Sequence, residues 1–235
     1  MLAGLLLLAD SRLPAGGHVH SGGVEALVDR GLLTTVADLS RFLDGRIRTA
    51  GRCAAAAAAA SAGLSLLGRR SGVQDGPNWP RWDRAVEVRT TSAALRAASR
   101  AQGAALLRTS SRAWPSDRSL GALIELGRPH HPLVLGAAAA AAGAVPEQAA
   151  ALAVHHLVGG AATAAVRLLG LDPLLVAAAQ AGLADVADEA AAAAAECAAL
   201  AVAGDDPDLL PADAGALPEI LAELHHASEV TLFAS

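Results

Sequence analysis

The sequence predicts an all-α fold, a single compact bundle of roughly eight to ten helices, and three observations carry that prediction. Hydrophobic residues make up 53% of the chain but aromatic residues only 2%, with no Tyr. Alanine supplies much of the apolar fraction, in runs at 54–60, 137–142 and 190–195. Only three Ile occur. Ala is the strongest helix former and lets helices approach closely, whereas strands draw on β-branched and aromatic residues. A chain of 235 residues is ample for a buried core, and one domain spanning 1–235 is expected. No fixed-period repeat is visible, which argues against a solenoid.

Taken in order, Leu5–Leu8 belong to a first short helix. It is stopped by a segment, Asp10 to Gly17, with the Pro and Gly of a structured turn. Ser21 is placed to cap a second helix running through Glu25. Thr34 or Thr35, with Asp38 in the first turn, starts a long helix through the Ala run to about Leu67. The stretch 68–80 reads as an exposed loop. Ser92 to Trp114 is helical, with Leu95, Ala98, Gln102, Ala105 and Leu106 near helical spacing, and Pro115 ends it. A helix from about His131 enters the next Ala run, and Pro146–Glu147 opens another that reaches Leu169. Asp172–Pro173 is a strong start signal for a helix expected to extend to Val202. The acidic stretch 204–215 is loop, and 218–227 forms a last short helix before the tail.

Charge is divided unevenly along the chain. Residues 1–128 carry 17 Arg against 10 acids, a balance of +7, while residues 129–235 carry only Arg167 against 13 acids, a balance of −12. Opposite fields of this kind attract different partners, or the opposite end of a second copy. Nucleic-acid binding is excluded, because no dense basic run or interleaved aromatic stretch is present. Cys53 and Cys197 lie in Ala-rich helical surroundings and read as buried thiols in a reducing cytoplasm. The N-terminus lacks the basic region of a signal peptide, and His155–His156, Pro173, Gln180 and Asp185 interrupt the longest apolar stretches. A cytoplasmic protein without membrane contact is expected.

The most distinctive segment is Asp10-Ser-Arg-Leu-Pro-Ala-Gly-Gly-His-Val-His-Ser-Gly-Gly-Val-Glu25. Four Gly and Pro14 fall within ten residues, so the backbone can approach a ligand or another helix closely. Neither a phosphate-binding loop nor a dinucleotide fingerprint is spelled here. A tight helix-to-helix turn in the core is the competing reading. The acid pairs Asp188–Glu189 and Asp205–Asp206, and the set Asp10, His18 and Ser21, show no assembled catalytic spelling. His130–His131, His155–His156 and His225–His226 are adjacent pairs, and neighbours on a helix point about 100° apart, which is poor chelating geometry. His18 and His20 stand two apart in a loop, which suits transient contact with a metal better than a stable cage.

The pattern Asp-Ser-x-Leu-Pro-x-Gly-Gly followed by Ser-Gly-Gly-x-Glu resembles the N-terminal signature of the urease accessory protein F family, in its actinobacterial-type branch. Further matches follow in order: Arg96-x-x-Ser99-x-x-Gln102-Gly103 with Trp114–Pro115, His131-Pro132-x-x-x-Gly136, the segment from Gly160 through Arg167 to Pro173, and Pro218 through His225–His226 to Leu232-Phe233-Ala-Ser235. The resemblance implies a helical homodimer that is not an enzyme. Its implied partners are accessory protein D (also called H), the GTPase accessory protein G, and apo-urease. The implied task is GTP-dependent nickel insertion, with no cofactor held stably by this chain, nickel handled by the assembled complex, and GTP bound by G. By the same resemblance the motif loop comprises Asp10, Ser11, Pro14, Gly16, Gly17, Ser21, Gly23 and Glu25.

Two further segments have competing readings. Arg167 sits at a helix end, where it either satisfies the last carbonyls or stands exposed as an anchor; the resemblance favours an anchor for G. The apolar tip Val230 to Ser235 either docks on its own domain or awaits a partner. Here the resemblance implies that Leu232, Phe233 and Ser235, within a tail of about 226–235, bind accessory protein D. The alternative function is a helical small-molecule-binding enzyme built on the Gly/His-rich loop 10–25.

Overall fold

Helices begin where the sequence offers a side-chain acceptor for the first free backbone N–H groups. Thr35 accepts from the Asp38 N–H at 3.2 Å, and Asp38 accepts in return from the Thr35 N–H at 2.9 Å, a complete capping box. The Thr35 hydroxyl also bonds the Asp38 carboxyl and, with the backbone donors, holds its pKa down to about 2. Asn78, Ser92, Asp117 and Asp172 cap later helices in the same manner.

The computed structural model describes residues 2–15, 20–71, 76–213, 215–226 and 232–233. Its helices are α1 (Leu2–Ala9), α2 (Val24–Asp29), α3 (Val36–Arg46), α4 (Arg52–Ser71), α5 (Trp79–Val88), α6 (Ala93–Ala113), α7 (Arg118–Glu125), α8 (His131–Ala141), α9 (Pro146–Leu169), α10 (Pro173–Ala181), α11 (Ala184–Ala203) and α12 (Ala216–His226). A π-turn at Ile47–Gly51 joins α3 to α4, and a 3₁₀ turn at Pro207–Leu209 follows α11. There is no strand among the described residues, so the fold is all-α and compact.

At the centre, α4 lies against α8, α9 and α11, and α6 covers the outer side of α8. The Ala runs are what bring these axes together. Ala55–Ala60 and Ala137–Ala140 are buried, and a Cβ on Gly136 would lie 2.0 Å from the Ala58 carbonyl oxygen. Ser61 crosses the same seam, its hydroxyl donating to the Leu133 carbonyl at 2.6 Å. Gly103 of α6 plays the equivalent part beside Pro129, whose carbonyl oxygen would be 2.1 Å from an added Cβ.

The structure departs from the sequence prediction in several places. Counting α3–π–α4 as one, the described residues form eleven helices, close to the roughly eight to ten expected. The additions are α7 and α5, whose first turn falls inside the stretch predicted as loop; α4 runs through Gly68 to Ser71 from the other side. Trp79 and Trp82 are buried and draw α5 into the core despite Pro77 and Pro80. The helix expected from Pro173 to Val202 is two, because the chain turns at Gly182–Leu183 and buries Leu183. Gly23, not Ser21, is the N-cap of α2. Two continuous helices, Val36–Arg69 and Pro146–Leu169, are long and apolar enough to cross a membrane by length and composition. Their most apolar windows are 61% and 56% buried inside the bundle, as core helices are.

Candidate functional site

The N-terminal motif and the C-terminal tail, at opposite ends of the sequence, meet in one place. Gly22 and Gly23 both have left-handed backbone, at φ 63° and 93°, a conformation that glycine adopts without steric cost. The turn they make starts α2 and carries Glu25 into the interior, where its carboxylate is buried. Buried Ser21 supports the turn by accepting the Glu25 N–H at 3.4 Å. Glu25 then accepts the backbone N–H of Leu232 at 2.6 Å and of Phe233 at 3.0 Å. A buried carboxylate requires such donors, and charge-assisted bonds are the stronger kind.

Two more groups close this socket. His225, near the end of α12, places Nε2 3.2 Å from the Phe233 carbonyl oxygen and 3.5 Å from the Glu25 carboxylate. Arg167, in the last turn of α9, stacks over the Phe233 ring at 4.9 Å from its centroid. The position of α12 is itself fixed by carboxylates. Glu223 accepts the Ser92 hydroxyl at 2.6 Å and the Ala94 N–H at 3.0 Å, and Glu219 accepts the Ser92 N–H. The Ser92 hydroxyl holds the Glu223 carboxyl below its ordinary value.

Phe233 is therefore docked on its own domain, 5% exposed, whereas Leu232 beside it is 77% exposed. Leu217, Ile220 and Leu224, at helical spacing on α12, are exposed as well. The socket thus has a filled inner half and an apolar outer edge. Arg167 and the tail, read separately in the sequence, form a single site. Glu25 and His225 as its anchors were not foreseen; the buried, charge-bearing end of the Ser-Gly-Gly-x-Glu motif was the available signal.

Beside the socket lies a cavity of about 390 Å³ between the N-terminal segment, the π-turn, α6, the start of α8 and the middle of α9. Asp10 and Ser11 line it, while the Pro14 carbonyl accepts the Thr109 hydroxyl at 2.8 Å. Asp10 is engaged by Arg12 at 2.7 Å, which holds its carboxyl at about 2. Asp10 and Ser21 thus have structural hydrogen-bond roles, and the third member of the Asp10–His18–Ser21 set, His18, lies outside the described residues. Gly16, Gly17, His18 and Ser235 lie outside the described residues.

His20, His131, His155 and His156 also line the cavity. Burial, reinforced by His156 and His20, lowers the His131 pKa to about 3, and burial lowers that of His156 as well. The His131 and His156 ring centroids are 6.0 Å apart, and His156 Nε2 is 2.8 Å from the Leu8 carbonyl oxygen. No group of three or more His, Cys, Asp or Glu is arranged to hold a metal ion among the described residues.

Deeper in, His130 joins α5 to α6. Its Nε2 is 2.7 Å from Glu87 and its Nδ1 3.0 Å from the Ser99 hydroxyl, while Arg100 reaches both Asp83 and Glu87. Burial lowers the His130 pKa, so the ring is a neutral hydrogen-bonding strut that sets the start of α8.

Comparison with known proteins follows the same outline. A family model described as UreF matches residues 33–187. A protein named urease accessory protein UreF from Mycobacterium sp. (strain JLS) is 44% identical over 236 residues, covering 100% of this chain and 99% of the relative. Its namesake from Mycolicibacterium vanbaalenii is 42% identical over 237 residues, with coverage of 100% and 99%. That from Mycobacterium tuberculosis (strain H37Rv) is 40% identical over 173 residues, covering 73% of this chain and 75% of the relative.

Proposed function

Because this chain belongs to the urease accessory protein UreF family, we propose that it is a non-catalytic scaffold of urease maturation. In this reading it acts in the cytoplasm as a homodimer, binding accessory protein D (or H) and the GTPase accessory protein G for nickel insertion into apo-urease. The observation that carries the proposal is the meeting of Glu25, Arg167 and the Leu232–Phe233 tip in one socket, edged by the exposed leucines of α12. Exposed aliphatic side chains at helical spacing beside an arginine are the ingredients of a protein-docking surface. The alternative, a small-molecule-binding enzyme built on loop 10–25, finds no support among the relatives. Nickel and GTP are cargo and partner ligand in this scheme. His18 and His20 offer nickel at most a transient contact.

Removal of residues 226–235, followed by capture on immobilised accessory protein D, tests the reading. The shortened chain is expected to lose D and to retain a cooperative thermal transition. Capture of D at native affinity by the shortened chain would exclude the tail as its binding element. Light scattering at micromolar concentration checks the dimer, with a strict monomer in the presence and absence of D counting against it.

A further inference from the structure

The cavity contains a cation, Arg46, that forms no ion pair among the described residues. Arg46 ends α3 just before the π-turn, and its side chain lines the cavity. Its Nε is buried with no hydrogen-bond partner among the described residues, and burial is the cause that brings its pKa down to about 10. The Phe42 ring, 5.6 Å from the guanidinium carbon, offers a π-face but no acceptor. Gly22 makes room for the group, since a Cβ there would lie 2.5 Å from Arg46 Nη1.

The other charges on the wall are already engaged. Asp10 holds Arg12, Asp213 forms an ion pair at 3.1 Å with Arg52 although its Oδ2 makes no hydrogen bond among the described residues, and Glu219 accepts the Ser92 N–H. Arg89 directs its donors to the carbonyls of Ala85, Asp208, Leu210 and Pro211. It therefore adds positive charge to the cavity without a carboxylate to balance it. His131 faces the same space as a neutral imidazole and offers one N–H. A buried guanidinium N–H without an acceptor, as at Arg46 Nε, is costly, and the planar fork of Arg matches an oxyanion with two parallel hydrogen bonds.

We propose that this cavity is a binding site for a small oxyanion of carboxylate or phosphate type, with Arg46 as its principal ligand. Arg89 supplies a second positive field, and Gly22 keeps the approach to the guanidinium open. The site adjoins the tail socket, since Phe233 also lines the cavity, and it does not depend on the scaffold reading.

Thermal unfolding of the full chain in inorganic phosphate, and separately in acetate, each against sodium chloride of equal ionic strength, tests it. At least one oxyanion is expected to raise the melting temperature by about 2–4 °C once several-fold above its Kd. A response to phosphate alone, to acetate alone or to both supports the site and tells which oxyanion it takes. Arg46→Gln should abolish the rise, and Arg41→Gln, on the outside of α3, should leave it unchanged. Where Arg46→Gln does not fold, calorimetric titration of Arg46→Lys gives the answer: the charge remains but the fork is lost, and affinity should fall about tenfold. No response beyond the chloride control, or equal binding by the Arg46 variants and the wild type, overturns the proposal.

Discussion

In the centre of the bundle, α4 and α8 meet through alanine and glycine, with side-chain bonds from Ser61 to the Leu133 carbonyl and from Arg69 to the Ala140 carbonyl crossing the seam. At the tail socket, α2, α9 and α12 converge through a buried carboxylate, an imidazole and a guanidinium stacked on a ring. The first contact is close and mostly apolar; it tolerates no added volume. The second is directional, and each of its bonds can be exchanged for one to water or to another chain.

Adding volume to the seam should have the largest effect. Gly136→Ala sets a Cβ against the Ala58 backbone, where no rotamer change can relieve it. A loss of about 3 kcal/mol is expected in urea unfolding, and a loss below about 1 kcal/mol would show that α4 and α8 can separate freely.

Acid acts at the border of the two regions. His131 titrates at about 3 in the folded chain against an ordinary 6.5. Between those values the unfolded chain binds the proton and the folded chain does not, so stability falls as pH falls. The slope is about 1.4 kcal/mol per pH unit for each such group. His130 and His156 are lowered in the same direction and steepen it. Asp10 and Asp38, lowered to about 2, contribute stability that is lost only below the ordinary carboxylate range. Urea midpoints measured from neutral pH to about 5 should fall steadily, and His131→Gln should flatten the decline.

A smaller effect is expected at the socket. Glu25→Ala removes the acceptor shared by Leu232 and Phe233 and should cost about 1–2 kcal/mol, because a released tip regains water. Hydrogen exchange at the Phe233 amide gives the sharper reading: protected in the wild type and fast in the variant. Unchanged protection would mean that ring burial alone holds the tip.

Arg167→Ala should change stability least, by under about 1 kcal/mol, the scale of one exposed cation–π contact. In the proposed function it should nonetheless weaken capture of accessory protein G. Full capture by the variant would remove Arg167 from that interface.

Much of the helical outline was legible because its signals are local. Thr35 with Asp38, Ser92, Pro146 and Asp172–Pro173 start helices by means of a few neighbouring atoms. The Ala runs announced which helices come closest, since a methyl side chain permits little else. The misses share a physical cause. Buried Trp79 and Trp82 make α5 a helix next to prolines, and burial of Leu183 turns the chain at Gly182; neither signal is periodic along the sequence.

The sequence alone determined the all-α class, most helix starts, the uneven charge and the two terminal motifs, because capping, propensity and composition act over a few residues. Only the tertiary structure decided that Glu25 is the acceptor for the tail, that Phe233 is seated beneath Arg167, and that Arg46 lines a cavity in which no described carboxylate pairs with it. Those facts depend on which groups meet, or fail to meet, a partner from a distant part of the chain. Desolvation makes such pairings matter, and the spacing of residues along a sequence does not encode them.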